Sequence, residues 1–135
     1  MRAGSIPKHL LVDLTAYNPD IVVIQLGGND IAATSSPNDI FQTLLKLQTD
    51  LQTAGIREVY FIKIVPRGNF DKSPGLTATS FNKQRNKINR LMKTRLNYIK
   101  LRVKFQQDYD CDLVHFNNSG LLTRFLSLRR PFFRC

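Results

Sequence analysis

A run of aliphatic residues that ends in two glycines constrains the fold of this chain most. Residues 21 to 26 read Ile-Val-Val-Ile-Gln-Leu, and Gly27-Gly28-Asn29-Asp30 follows at once. Such a run is typical of a parallel strand that is buried on both faces. The glycines allow a sharp turn, which leaves Asn29 and Asp30 at the carboxyl end of the strand, where open α/β sheets bind ligands. Taken alone, these four residues are also compatible with an ordinary turn.

The rest of the chain alternates between helical and strand patterns. Two further strands are predicted at 58–65 and 99–105. Four helices are predicted: one from Ile6 with Ser5 as its cap, two that begin after the caps Ser36 and Ser80, and a last one capped by Asn117 or Asn118. The last helix is expected to turn its apolar residues inward, namely Leu121, Leu122, Phe125 and Leu128. Strands separated by helices pair in parallel through right-handed crossovers. The sequence therefore predicts one α/β domain over residues 1–135, a three-layer α/β/α sandwich.

A second motif lies far downstream of the glycines. Asp112 precedes His115 by three residues in a polar loop, so its carboxylate can hold the imidazole ring. Together the two motifs resemble the SGNH (GDSL-type) hydrolases, whose third block is Gly-x-Asn-Asp and whose fifth is Asp-x-x-His. The likeness in order and spacing runs from about Gly4 to about Leu128. The resemblance implies a flavodoxin-like sheet and hydrolysis of acyl or acetyl esters on lipid, carbohydrate or small-molecule substrates, without a metal or organic cofactor.

The resemblance also implies roles for individual residues. His115 corresponds to the base, because a neutral imidazole can take a hydroxyl proton near neutral pH. Asp112 corresponds to the group that orients the base, and Asn29 to an oxyanion donor. Gly4 is similar in place to the glycine whose backbone N–H is a second oxyanion donor. The other motif residues are expected to brace the loop: Gly28 and Asp30.

The loop after the second predicted strand lines the substrate side in the related hydrolases. Arg67, Asn69 and Phe70 are therefore expected to border a pocket. An exposed crossover loop is the alternative.

The nucleophile block of the family, Gly-Asp-Ser after a first strand, is not found in the sequence. Ser5 stands in Ala-Gly-Ser, but the four residues before it are too few to form the strand that holds a nucleophile rigid. Because the first strand is central in the family, the strand at 21–26 is expected to have an unpaired edge. We therefore expect an N-terminally truncated SGNH-type domain, inactive or incomplete as given, that could associate with itself through this edge.

Positive charge is concentrated in one part of the chain. The net charge is +10, and residues 83 to 104 contain nine Lys or Arg and no acid. The third predicted helix carries six of them: Lys83, Arg85, Lys87, Arg90, Lys93 and Arg95. Such an excess of positive charge favours the binding of polyanions. The alternative function is therefore a basic nucleic-acid-binding or accessory module on an SGNH-like scaffold. A solvated helix face is the plainer interpretation.

Cysteine content and hydropathy exclude other classes of protein. The cysteines are Cys111 and Cys135, no metal-binding spacing is present, and no metal site is expected. The carboxylate of Asp112 disfavours a Cys111 thiolate, so Cys111 is interpreted as a loop residue. No apolar run approaches the length of a membrane span, and a signal-peptide pattern is interrupted by Pro7, Lys8, His9 and Asp13. We expect a cytoplasmic or otherwise intracellular protein.

Overall fold

Strands and helices alternate along the chain, as the sequence predicts. A computed structural model describes residues 1–132, apart from the side chain of Arg130. The helices and strands are α1 Lys8–Tyr17, β1 Ile21–Ile24, α2 Pro37–Thr53, β2 Glu58–Ile62, α3 Ala78–Arg95, β3 Asn97–Ile99 and α4 Asn118–Phe132. Short 3-10 helices span Ala3–Ser5 and Gly28–Asp30.

The sheet is parallel, with β2 in the centre. Its strand order is β1-β2-β3, with Ile24 opposite Phe61 and Ile62 opposite Ile99. The predicted parallel α/β fold is therefore confirmed. Within residues 1–132, β1 pairs only with β2, so its other edge is free, as expected for a sheet without the family's first strand.

Apolar residues cover both faces of the sheet. On one face Val59 and Phe61 are at most 1% exposed and belong to a core with residues of α2 and α3: Leu44, Leu47, Phe81, Ile88 and Met92. Alternation along β2 sends Tyr60 and Ile62 to the opposite face, where they pack with Leu128 and Phe132 of α4. Helices on both faces of the sheet confirm the three-layer arrangement.

The helix caps explain where most helices begin. Ser36 caps α2 by accepting the Asp39 N–H, as predicted. The predicted Ser80 cap of α3 is wrong, because Thr77 is the cap and Ser80 completes a capping box three residues later. Asn117 accepts the Gly120 N–H at 2.9 Å, which confirms it as the cap of α4.

The amino-terminal elements are more exposed than the sequence predicts. Ile21 and Val23 are each 38% exposed, so the prediction that β1 is buried on both faces is wrong. They point to the α4 side of the sheet, but α4 packs over β3 and leaves this part of β1 uncovered. The predicted helix start is also wrong: α1 begins at Lys8, and Ser5 lies in the preceding 3-10 helix.

The third strand is shorter than its alternating pattern predicts. It ends at Ile99 instead of Phe105. Beyond it the Arg102 N–H donates to the Ser127 hydroxyl of α4 at 3.1 Å, and the Lys104 N–H donates to the Asp108 carboxylate at 2.7 Å. Side chains therefore take the place of a neighbouring strand as hydrogen-bond partners.

The last helix packs against the sheet through its carboxyl-terminal half. Leu128 is half-buried against Ile62, but the predicted inward orientation of three residues is wrong. Each of these three is more than half exposed: Leu121, Leu122 and Phe125. The helix continues through Pro131 to Phe132, and Phe133 to Cys135 lie outside the described residues.

Candidate active site

Asp112 and His115 form a hydrogen-bonded pair. The Asp112 Oδ2 lies 2.6 Å from the His115 Nδ1. The other carboxylate oxygen, Oδ1, accepts the backbone N–H groups of Val114 (2.9 Å) and His115 (3.0 Å). These hydrogen bonds lower the pKa of Asp112 to about 2, and the bond to the His115 ring has the largest effect. The carboxylate is therefore ionised near neutral pH and orients the ring, whose Nε2 hydrogen-bonds to no residue in the described part of the chain.

The loop that carries this pair is held in place by backbone hydrogen bonds. Tyr109 and Phe116 form an antiparallel bridge that closes the loop around His115. Leu113 adopts a left-handed conformation with φ +56°, and its carbonyl accepts the Gly68 N–H at 2.8 Å. The bond to Gly68 ties the His115 loop to the loop that follows β2.

A buried carboxylate, that of Asp108, also supports the His115 loop. Asp108 is 4% exposed, and its carboxylate accepts the Lys104 N–H (2.7 Å) and the Ser119 hydroxyl (2.8 Å). The backbone bond from Lys104 and then the bond from Ser119 lower the pKa of Asp108. A Cβ on Gly120 would clash with the Asp108 carbonyl oxygen, so only glycine permits this close approach. Sequence reasoning missed the burial of Asp108.

The turn after β1 places Asn29 beside this loop. Gly27 has φ +109°, a conformation that favours glycine, and the 3-10 helix Gly28–Asp30 follows. Asn29 is exposed, and its Nδ2 donates to the Met1 carbonyl at 3.4 Å. Both carboxylate oxygens of Asp30 accept the Ala3 N–H at 3.2 Å, a contact that joins the turn to the first 3-10 helix.

Ile64 supports the turn from the core side. A Cβ on Gly27 would lie 2.8 Å from the Ile64 Cδ1, whereas a Cβ on Gly28 would make an ordinary contact at 3.6 Å. The buried Asn89 amide pairs with both the N–H and the carbonyl of Ile64, each at 2.9 Å. The Arg85 Nη1 also donates to this carbonyl, at 3.2 Å. Sequence reasoning missed Asn89, although a polar residue next to Ile88 on the buried face of α3 was a usable signal.

Three of the predicted site residues line one cavity at the carboxyl end of the sheet: Asn29, Asp112 and His115. Arg67, Asn69 and Phe70 border the same cavity, as expected. Gly4 and Ser5 lie in the first 3-10 helix and are not part of this lining, and Gly28 lines an adjoining cavity. The roles of these residues in catalysis stay predictions.

Two kinds of feature are absent from residues 1–132. No three His, Cys, Asp or Glu side chains there converge as ligands of a metal ion would. No helix in that part of the chain has the length and apolarity needed to cross a membrane.

Comparison with known proteins identifies the family. Residues 2–121 match the GDSL-like Lipase/Acylhydrolase family. A GDSL-like lipase from Bacteroides thetaiotaomicron superimposes with a TM-score of 0.71 at 17% identity, over 92% of this chain and 67% of that one. An acetyl xylan esterase superimposes with a TM-score of 0.64 at 21% identity, over 96% of this chain and 74% of that one. A lipase/acylhydrolase from Enterococcus faecalis superimposes with a TM-score of 0.58 at 20% identity, over 94% of this chain and 71% of that one. A search of curated proteins found no match. The extent of the family match, with the fold shared by these esterases, shows that the chain belongs to the GDSL-like lipase/acylhydrolase family.

Proposed function

We propose that this chain supplies the base, its orienting carboxylate and an oxyanion donor for the hydrolysis of carboxylic esters. The hydrogen-bonded pair of Asp112 and His115 is the observation that carries the proposal. His115 Nε2 takes the proton of an attacking hydroxyl and later returns it to the leaving alcohol. Asp112 stabilises the imidazolium that forms in between. The amide of Asn29 donates to the oxygen that becomes negative as the tetrahedral intermediate forms.

We infer that the nucleophile is not among the described residues. Within residues 1–132 no serine hydroxyl hydrogen-bonds with the His115 ring. Ser5 is not part of the cavity lining, and the hydroxyl of Ser73, which is part of it, accepts a hydrogen bond from Arg67. We propose that the serine is carried by a further strand that pairs in parallel with the free edge of β1. Carboxyl ends of parallel strands meet at one edge of a sheet, so a residue after that strand would stand beside Asn29.

The exposed apolar surface next to β1 supports this arrangement. Ile21 and Val23 are each 38% exposed on the side of the sheet that α4 covers only in part. Leu122 and Phe125 of α4 are 58% and 59% exposed. A strand that is followed by an apolar helix would cover both groups of residues, which is the normal unit of an α/β sheet. The alternative occupant of the edge is a second copy of the chain, which light scattering would reveal as a dimer.

The substrate class follows from the relatives. The similar solved structures include a GDSL-like lipase and an acetyl xylan esterase. We therefore propose acyl or acetyl esters on lipid, carbohydrate or small-molecule substrates.

The experiment is a comparison of two proteins with p-nitrophenyl acetate as the substrate. One is this chain, and the other is the chain extended at its amino end by a strand and helix that carry Gly-Asp-Ser. Turnover is expected only from the extended protein, and Ser→Ala in the added block abolishes it. Turnover by the unextended chain that disappears in His115→Ala would contradict our placement of the nucleophile.

A second candidate function rests on the charge of α3. Five of its six cationic side chains are exposed, and none of them forms an ion pair within residues 1–132: Lys83, Lys87, Arg90, Lys93 and Arg95. Such a surface suits an accessory role in binding a polyanion. Binding to single-stranded RNA should weaken steeply with salt, and a triple variant with glutamine at Lys83, Lys87 and Arg90 should lose most of that dependence. Unchanged binding by this variant would eliminate the candidate.

A further inference from the structure

Arg67 is a cation that lies against two aromatic rings. Its guanidinium carbon lies 4.7 Å from the centre of the Phe81 ring and 5.4 Å from that of Phe70. Its Nη2 makes one long hydrogen bond, at 3.4 Å, to the Ser73 hydroxyl. The Nε is buried and has no hydrogen-bond partner among the described residues. Most donors of this guanidinium therefore lack a strong acceptor.

The described part of the chain also provides no counter-ion for Arg67. The ion pairs there are Lys46–Asp50 and Asp112–His115, and no carboxylate lies within 4.0 Å of the Arg67 guanidinium. Burial lowers the pKa of Arg67, yet an arginine stays protonated at any physiological pH. Partial burial of a charge without a partner is costly, because the protein replaces only part of the lost hydration. Cation–π contacts with Phe70 and Phe81 recover some of that cost but leave the charge without an anion.

The position of Arg67 connects this charge with the proposed chemistry. Arg67 lines the same cavity as Asn29 and His115. The carboxylate of Asp112 also lines it, but its oxygens are engaged by the His115 ring and by backbone N–H groups. The other charged side chains in the lining are Arg2, Asp71 and Lys72. Cations are therefore in excess over free carboxylates in the cavity.

The outward end of the guanidinium is accessible. Nη1 has no hydrogen-bond partner within residues 1–132, and it is not among the buried atoms, whereas Nε is. An anion can therefore approach the guanidinium from its Nη1 side, while the Phe70 and Phe81 rings contact the group. The planar fork of arginine matches a carboxylate in this geometry.

We propose that Arg67 binds a carboxylate group carried by the substrate, so that the site selects esters that bear a free carboxylate. This inference rests on the proposed function for the identity of the ligand as an ester. The binding step itself does not require the nucleophile, because Arg67, Asn29 and His115 all belong to this chain. It can therefore be tested on the chain as it stands.

The test compares two probes of nearly the same size, monomethyl succinate and dimethyl succinate. Only the first carries a negative charge at neutral pH. Each is titrated into the isotopically labelled chain, while the NMR signals of the Arg67 Nε–H and the His115 ring are followed. The monoester is expected to shift both signals saturably and to bind at least about 10-fold more tightly than the diester, as a charge-assisted pair predicts. Added salt should weaken only the binding of the monoester.

Matched variants assign this preference to one residue. Arg67→Gln is expected to lose the preference for the monoester, whereas Arg57→Gln, which removes an exposed arginine outside the cavity lining, should keep it. Equal binding of the two probes by the unmodified chain would overturn the proposal, and so would an undiminished preference in folded Arg67→Gln. If the variant does not fold, a monoester that leaves the Arg67 Nε–H signal of the unmodified chain unshifted would still overturn the proposal. An inactive extended protein would contradict the proposed function and leave this result unchanged.

Discussion

Replacement of Gly27 by alanine tests how the turn that presents Asn29 is held. Gly27 has φ +109° and ψ −30°, a conformation that L residues rarely adopt. Its added Cβ would lie 2.8 Å from the Ile64 Cδ1 and 3.4 Å from the Ile64 Cγ1. Two separate costs are therefore expected in one variant, one from the backbone and one from the contact.

The two costs can be estimated separately. A residue held in such a region of backbone conformation costs about 1–3 kcal/mol. Overpacking of a core contact costs about 1–3 kcal/mol more. Gly27→Ala should therefore lower the free energy of unfolding by roughly 2–6 kcal/mol, a large share of the ~5–15 kcal/mol of an ordinary domain.

Two other glycines provide matched controls. Gly55 has φ +104°, but its added Cβ would meet nothing within 4 Å, so Gly55→Ala reports the backbone cost alone. Gly28→Ala should be tolerated, because its φ is not in the left-handed range and its Cβ would make an ordinary contact at 3.6 Å. The order of stability should be Gly28→Ala, then Gly55→Ala, then Gly27→Ala, as measured by urea denaturation with circular dichroism.

A double-mutant cycle isolates the contact with Ile64. Ile64→Val removes the Cδ1 atom and should cost about 0.5–1.5 kcal/mol by itself. Combined with Gly27→Ala it should return part of the lost stability, with a coupling of about 1–3 kcal/mol. Equal losses in Gly27→Ala and Gly55→Ala, together with no coupling to Ile64→Val, would refute the reasoning.

Three further predictions concern hydrogen bonds and ionisation. Asn89→Leu leaves the Ile64 N–H buried without an acceptor, while Arg85 keeps its bond to the carbonyl, so urea denaturation should show a loss of about 1–3 kcal/mol. Burial raises the pKa of Tyr109 to about 12, which favours the neutral phenol in the fold. Its contribution to stability is therefore full below pH 10 and is lost as the pH rises through about 12; in an ultraviolet titration Tyr109→Phe should remove that late step. The pKa of Asp112, about 2, lies below its unfolded value of 3.8, so its contribution is present above pH 3.8 and lost as the pH falls through about 2. Asp112→Asn should abolish this acid dependence in denaturation curves, and an unchanged curve would contradict the pairing with His115.

The parts of the fold that follow from local chemistry were predictable from the sequence. The apolar stripe of α2 lies on the buried face, and Ser36 caps the helix, because both depend on residues close in sequence. The pairing of Asp112 with His115 was predictable for the same reason, since three residues separate them in one loop.

The extent of burial depends on contacts between distant elements and was not predictable in the same way. The apolar run of β1 looks like that of a strand buried on both faces, yet Val23 is 38% exposed because α4 does not reach over it. The apolar residues of α4 have a helical period, but the period does not reveal which half of the helix meets the sheet. Leu128 packs against the sheet, whereas Leu122 is exposed.

The supporting residues of the site escaped sequence reasoning for a related reason. Asn89 pairs with Ile64 across 25 residues, and this pairing depends on how α3 lies against the sheet. That Arg67 has no ion partner within residues 1–132 likewise becomes visible only when the surrounding side chains are in place. The family resemblance placed Arg67 at the border of a pocket, but it gave no information on its charge environment.

The most direct test of the central claim is the effect of His115→Ala on kcat/KM in the protein extended by a Gly-Asp-Ser segment. The chain contains two histidines, and exposed His9 on α1 provides the matched control. If His115 is the general base, His115→Ala should lower kcat/KM for p-nitrophenyl acetate by about 10²–10⁴-fold, while His9→Ala leaves it unchanged. An extended protein that turns over the ester equally well with either histidine replaced would contradict the assignment of His115 and Asp112 to catalysis.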